Sequence, residues 1–133
     1  MSSVLVAAIP ASAGVVRRQL TADLLIRGLR TELIEDAALI VTELVANAVR
    51  HGAPLPGGGV LVTWTVRSGV LRLQVSEGGP GPAAETTGIG RTAQRLANKE
   101  AESGRGLAII GALASSWGIR TVGRTTVWAE LAA

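Results

Sequence analysis

Apolar residues recur every three or four positions in two long stretches of the first fifty residues, then alternate with polar ones, then thin out between Ser76 and Ser103. The run Val4-Leu5-Val6-Ala7-Ala8-Ile9 is stopped by Pro10, which disfavours helix in the residue before it, so the pattern predicts an N-terminal strand. From Val15 to about Leu29, Val16, Leu20 and Leu24 repeat at helical spacing, with Arg17, Arg18 and Arg27 elsewhere on the circumference. This predicts a first helix, with Ser12 as its cap. Thr31 to Arg50 carries Ile34, Ala37, Ala38, Val41, Leu44, Val45 and Ala48 on one stripe and stops at His51-Gly52, which predicts a second helix.

The Pro- and Gly-rich stretch Ala53 to Gly59 cannot continue a regular element and reads as a loop. Val60, Val62, Trp64 and Val66 then alternate with polar or smaller residues, Ser68-Gly69 turns the chain, and Val70 to Val75 completes a hairpin. Between Ser76 and Ser103 only Arg91 to Ala101 has helical composition. Gly104-Arg105-Gly106 leads into a small-residue apolar helix from Leu107 to Ala114, and Trp117 to Val122 with Thr125 to Leu131 read as a closing hairpin. Two or three helices on one face of a mixed, mostly antiparallel sheet give an α+β fold, a two-layer α/β sandwich occupying residues 1–133 as one domain.

Composition narrows the chemistry. Without Cys there is no disulfide framework, thiolate metal site or Cys nucleophile, and with His51 alone there is no multi-histidine metal site. No apolar run reaches the length of a membrane span, so a soluble cytoplasmic protein is expected. Thirteen Lys and Arg against ten Asp and Glu leave +3, and with no Phe or Tyr there is little to stack on bases, so nucleic acid is not an expected partner. Trp64 and Trp128 lie on alternating strands and read as core residues, while the Arg17, Arg18 and Arg27 face of helix one is either a solvated surface or a partner surface.

Three constellations can carry chemistry. Glu43 and Asn47, four residues apart, project from one face of helix two, with Arg50 and His51 a turn further on. An Asn amide oxygen is a hard ligand for Mg²⁺ and a carboxylate one turn away can orient an attacking oxygen, although a solvated polar face has the same spacing. Glu77-Gly78-Gly79-Pro80-Gly81 sets a carboxylate where a strand meets a glycine turn, which suits close approach of a flat base with an exocyclic amine and also suits an ordinary loop. Ser103-Gly104-Arg105-Gly106-Leu107 opens a helix, where unpaired N–H groups favour a phosphate. Gly118 to Thr125 imitates a P-loop but runs into a strand instead of a helix, and Gly88-Ile89-Gly90 imitates a dinucleotide fingerprint without the βαβ unit that gives it meaning.

Taken in order, Glu43-Leu44-Val45-Ala46-Asn47-Ala48-Val49-Arg50-His51-Gly52, Glu77-x-Gly79-x-Gly81, Gly104-x-Gly106-Leu107 and Thr125-Thr126-Val127-Trp128-Ala129-Glu130-Leu131 resemble the GHKL (gyrase/Hsp90/histidine-kinase/MutL) ATP-binding superfamily. Within it the chain is most similar to the small anti-sigma-factor serine/threonine kinases of Gram-positive bacteria and their actinobacterial relatives. The resemblance implies the Bergerat ATP-binding fold, ATP and Mg²⁺ as cofactors, Glu43 as catalytic residue and Asn47 as metal ligand. It implies an ATP site built also from Arg50, Glu77, Gly79, Gly81, Gly104, Arg105, Gly106, Leu107 and Thr126, with Glu77 facing the adenine amine and Ala83 to Ser103 as a lid. The partners it implies are a sigma factor and an anti-sigma-factor antagonist protein, and it suggests a homodimer. Glu77 stands where the family has Asp, and its extra methylene carries the carboxylate about 1.5 Å farther. Base recognition then needs a strand set slightly back, or the chain is a nucleotide-impaired adaptor of the same fold that acts by protein–protein interaction.

Overall fold

The computed structural model describes residues 1–79, 85–88, 106–121 and 123–133. Strands β1 (Ser2–Val6), β2 (Val60–Arg67), β3 (Val70–Glu77), β4 (Glu85–Gly88), β5 (Ser116–Thr121) and β6 (Thr125–Ala132) form one sheet in the order β1-β2-β3-β6-β5-β4. Every pairing among these strands is antiparallel; the parallel pair that a mixed sheet allows does not occur. Helices α1 (Ser12–Ile26), α2 (Thr31–His51) and α3 (Gly106–Leu113) pack on one face, which gives the expected two-layer α+β sandwich.

The core lies where the helical stripes meet one parity of the strands. Val16, Leu20 and Leu24 of α1 and Ile34, Ala37, Val41, Leu44 and Val45 of α2 are buried against Val60, Val62 and Trp64 of β2 and Leu71, Leu73 and Val75 of β3. Leu33 and Ile40 of α2 join them, while Ala38, expected on the stripe, sits at its partly exposed edge. Ser68 and Gly69 both take positive φ (51° and 74°), the signature of the two-residue turn whose twist matches a hairpin.

Helix α1 departs from expectation at both ends. Ser12 lies inside the first turn, and its hydroxyl donates to the Ala7 carbonyl at 2.6 Å instead of capping the helix. The helix stops at Ile26 because Gly28 (φ 77°) closes a Schellman turn: Gly28 N–H donates to Leu25 C=O and Leu29 N–H to Leu24 C=O. The segment expected as a lid contains strand β4, hydrogen-bonded to β5. The helix expected over Arg91 to Ala101 lies outside the described residues. Trp64 is a core residue as expected, but Trp128 is not. It is buried on the opposite face of the sheet, where the Arg72 guanidinium lies 4.3 Å from its ring centre.

Asp23 ties α1 to the sheet. Its carboxylate accepts from Trp64 Nε1 at 2.7 Å, from Arg27 Nε at 2.9 Å and from Ser2 Oγ at 3.3 Å. The Trp64 bond, and then Arg27, hold the carboxyl below its ordinary 3.8 against the opposing effect of burial. Because the folded state lowers this pKa, the stabilisation is complete above pH 3.8 and is lost as pH falls through the depressed folded value. Asp23→Asn is therefore expected to cost on the order of 1 kcal/mol at neutral pH, limited by the group's partial exposure. The difference in melting temperature from wild type should vanish in acid below that window; a difference independent of pH would refute the role of the charge.

Candidate functional site

A cavity of about 250 Å³ opens between the C-terminal half of α2 and the adjoining ends of β3, β5 and β6. Helical spacing builds one wall. Asn47 and Ala48 lie three and four residues after Leu44, and His51 four and three residues after them, so the four share a face, and Gly52 ends it. Strand parity builds the other wall from Val75 and Glu77 of β3, Gly79 just beyond it, Ile119 of β5, and Thr125 and Val127 of β6.

Glu77 is the last member of the row that buries Leu71, Leu73 and Val75, so its carboxylate sits at the rim of the core and is only 6% exposed. A buried carboxylate requires hydrogen-bond donors. The Ala53 backbone N–H, immediately beyond α2, donates to Oε2, and Gly78 N–H donates to the Ala53 carbonyl at 2.7 Å. No other hydrogen bond among the described residues reaches this carboxylate. The extra methylene of Glu over Asp is thus taken up by the contact with Ala53. Two glycines make room: a Cβ on Gly79 would stand 2.7 Å from Oε1, and one on Gly52 would overlap the carboxylate. Thr125 Oγ1 donates to Gly79 C=O at 2.9 Å and fixes the turn after β3.

Asn47 lies across the cavity from the strand wall, and Arg50 Nη2 donates to its Oδ1 at 3.0 Å. Arg50 itself is exposed and lies outside the described lining of the cavity. Glu43 is one turn before Asn47 and also outside the lining. Gly106 and Leu107 open α3. Gly81, Gly104 and Arg105 lie outside the described residues.

Thr126 lines the groove on the other side of the sheet. Its Oγ1 is 2.8 Å from Ser76 Oγ on the face turned away from the helices, and the cavity is lined by its neighbour Thr125. Successive strand residues point to opposite faces, so a one-residue error in assignment moves the side chain to the other side of the sheet. Parity with Ala129 and Leu131 was the available signal. His51, Gly52, Val75, Ile119 and Val127 line the cavity, although the sequence reading gave none of them a role in the site. A count of four onward from Asn47 finds His51, and alternation back from Glu77 finds Val75.

Among the described residues no group of three or more His, Asp or Glu side chains converges as a metal site. A divalent cation here would share the Asn47 amide oxygen with ligand phosphates and water, the usual manner of Mg²⁺. Nor is any described helix long and apolar enough to cross a membrane.

The structure thus joins a two-layer α+β sandwich to a helix-to-sheet cavity with a buried acid on the strand side and an amide on the helix side. The chain belongs to the histidine kinase-like ATPase domain family, whose model matches residues 6–131. Comparison with curated proteins gave no significant match.

Proposed function

We propose that this chain is an ATP-dependent protein serine/threonine kinase of the anti-sigma-factor type, which binds a sigma factor in the cytoplasm and phosphorylates that factor's antagonist protein. The observation that carries the nucleotide part of this reading is Glu77: a carboxylate 6% exposed, at the edge of the cavity, with one oxygen satisfied by Ala53 and the other available. Glu77 lines the cavity, so an exocyclic amine of adenine would take the place of water as donor to this oxygen. Gly79, held by Thr125, leaves the base free of side-chain obstruction.

Across the cavity Asn47 would hold Mg²⁺ through its amide oxygen, and Arg50 keeps that oxygen oriented. Bound Mg²⁺ and ATP supply the transferable phosphoryl group and the neutralisation of its charge. Gly106 and Leu107 belong on the phosphate side, since the first turn of a helix leaves backbone N–H groups unpaired. Glu43, one turn before Asn47, orients the attacking serine or threonine hydroxyl and accepts its proton.

A second reading, an adaptor that binds partners but not nucleotide, draws on the same residue, because Oε2 of Glu77 is already committed to Ala53. Calorimetry separates the two. Titration with ATP and Mg²⁺ is expected to give saturable heat, and labelled γ-phosphate is expected on a serine or threonine of a co-incubated antagonist. No heat at millimolar nucleotide overturns the ATP site, and heat without label leaves the adaptor. Thr125→Val is expected to weaken nucleotide binding about tenfold by releasing the Gly79 carbonyl, while Thr126→Val leaves it unchanged. Equal effects of the two would contradict the assignment of faces.

A further inference from the structure

On the sheet face turned away from the helices, a groove of about 590 Å³ lies back to back with the cavity. Strand register sets Leu61, Ser76, Thr126 and Arg120 in one row across β2, β3, β6 and β5, with Gln74 in the next row and Arg124 at the β5–β6 turn. Three strand spacings make the row about 14 Å long, the length of about four extended residues and much longer than a single phosphate. We infer that this groove binds an extended acidic polypeptide segment, with carboxylates on Arg120 and Arg124 and an apolar side chain at the Leu61 end.

Charge carries the argument. Arg72 on the same face is already compensated: it is paired with Glu130 at 3.0 Å and stacked on Trp128. Neither Arg120 nor Arg124 has an ion pair among the described residues, and no described residue lining the groove is acidic. Backbone register pairs Glu85 of β4 with Arg120 of β5. Between the ends, the hydroxyls of Ser76 and Thr126 and the Gln74 amide offer hydrogen bonds to a peptide backbone. At the far end Leu61 pairs across the strands with Leu5, which is 61% exposed and supplies an apolar foothold. A single-stranded nucleic acid would need an aromatic platform. The nearest, Trp128, is 8% exposed beneath Arg72.

The test is calorimetric titration of the full chain with the acetylated, amidated peptide Leu-Ala-Ser-Glu-Glu, its Leu-Ala-Ser-Gln-Gln counterpart, and a thymidine oligonucleotide of similar length. The Glu peptide is expected to bind, with affinity that falls as salt is raised, and the Gln peptide at least about tenfold more weakly. The double variant Arg120→Gln/Arg124→Gln is expected to lose about tenfold or more in Glu-peptide affinity at an unchanged melting temperature. Absence of Glu-peptide binding, equal affinity for the two peptides, full binding by the double variant, or tighter binding of the oligonucleotide would each overturn the inference. Should the melting temperature of the double variant fall, Arg124→Gln alone, in the exposed turn, gives the same comparison.

Discussion

Gly52→Ala is expected to destabilise the fold by about 3 kcal/mol, a fall of roughly 10 °C in melting temperature, although residue 52 is neither in the core nor in a left-handed conformation. Its φ of −95° suits any residue, so the cost is steric. A Cβ there would overlap the Glu77 carboxylate and stand 2.6 Å from the Ala48 carbonyl. The carboxylate cannot retreat freely, because it is buried and bonded to Ala53 N–H, and the carbonyl belongs to the last turn of α2. Shortening the acid relieves the first contact only. Glu77→Asp is expected to recover about half of the loss in the double variant, while costing about 1 kcal/mol alone through the lost Ala53 bond. Denaturant unfolding of the four proteins gives the coupling directly, and additive effects would show that the two residues do not compete for this space.

Asn47→Ala is expected to reduce phosphate transfer at least about a hundredfold, some 2.7 kcal/mol of barrier, at little cost in stability. Asn47 is half-buried at the cavity wall and accepts a hydrogen bond from the exposed Arg50, so truncation strands no buried donor there. On the proposed reading, what disappears is the hard oxygen ligand for Mg²⁺. Calorimetry should therefore show affinity for metal-free ATP changed by no more than about threefold, together with loss of the gain that Mg²⁺ confers. Phosphate incorporation equal to wild type, measured across a Mg²⁺ titration, would exclude Asn47 from metal binding.

Much of this was legible in the chain, for identifiable reasons. Helix α2 is read to within a residue because its stripe is long and regular and Gly52 follows it, and the β2–β3 hairpin because Ser68-Gly69 interrupts two alternating runs. Asn47 and Glu77 stand out because an amide in a helix body and an acid ending an apolar strand both contradict their surroundings. The failures have equally local causes. The end of α1 depends on Gly28, which the apolar period ignores, and Ser12 was read as a cap when its hydroxyl is used by Ala7. Thr125 and Thr126 are identical in type, so only parity with the apolar residues downstream separates them. Trp128 misleads for a related reason: its ring is shielded by an arginine on the reverse face, a form of burial that hydropathy does not register. Nothing short of coordinates pairs Glu77 with Ala53, since that contact joins residues 24 apart through a backbone donor.

Because β3 and β6 send odd-numbered side chains toward the cavity and even-numbered ones toward the outer groove, the two surfaces are free to diverge. Point substitutions at Ser76 or Thr126 can retune the outer surface without touching the interior one, whereas deletion of a single residue before Ala129 would exchange their walls and ruin both. Tolerance of replacement combined with intolerance of length change should therefore mark these two strands in any mutational survey, even at positions that neither bind nor catalyse.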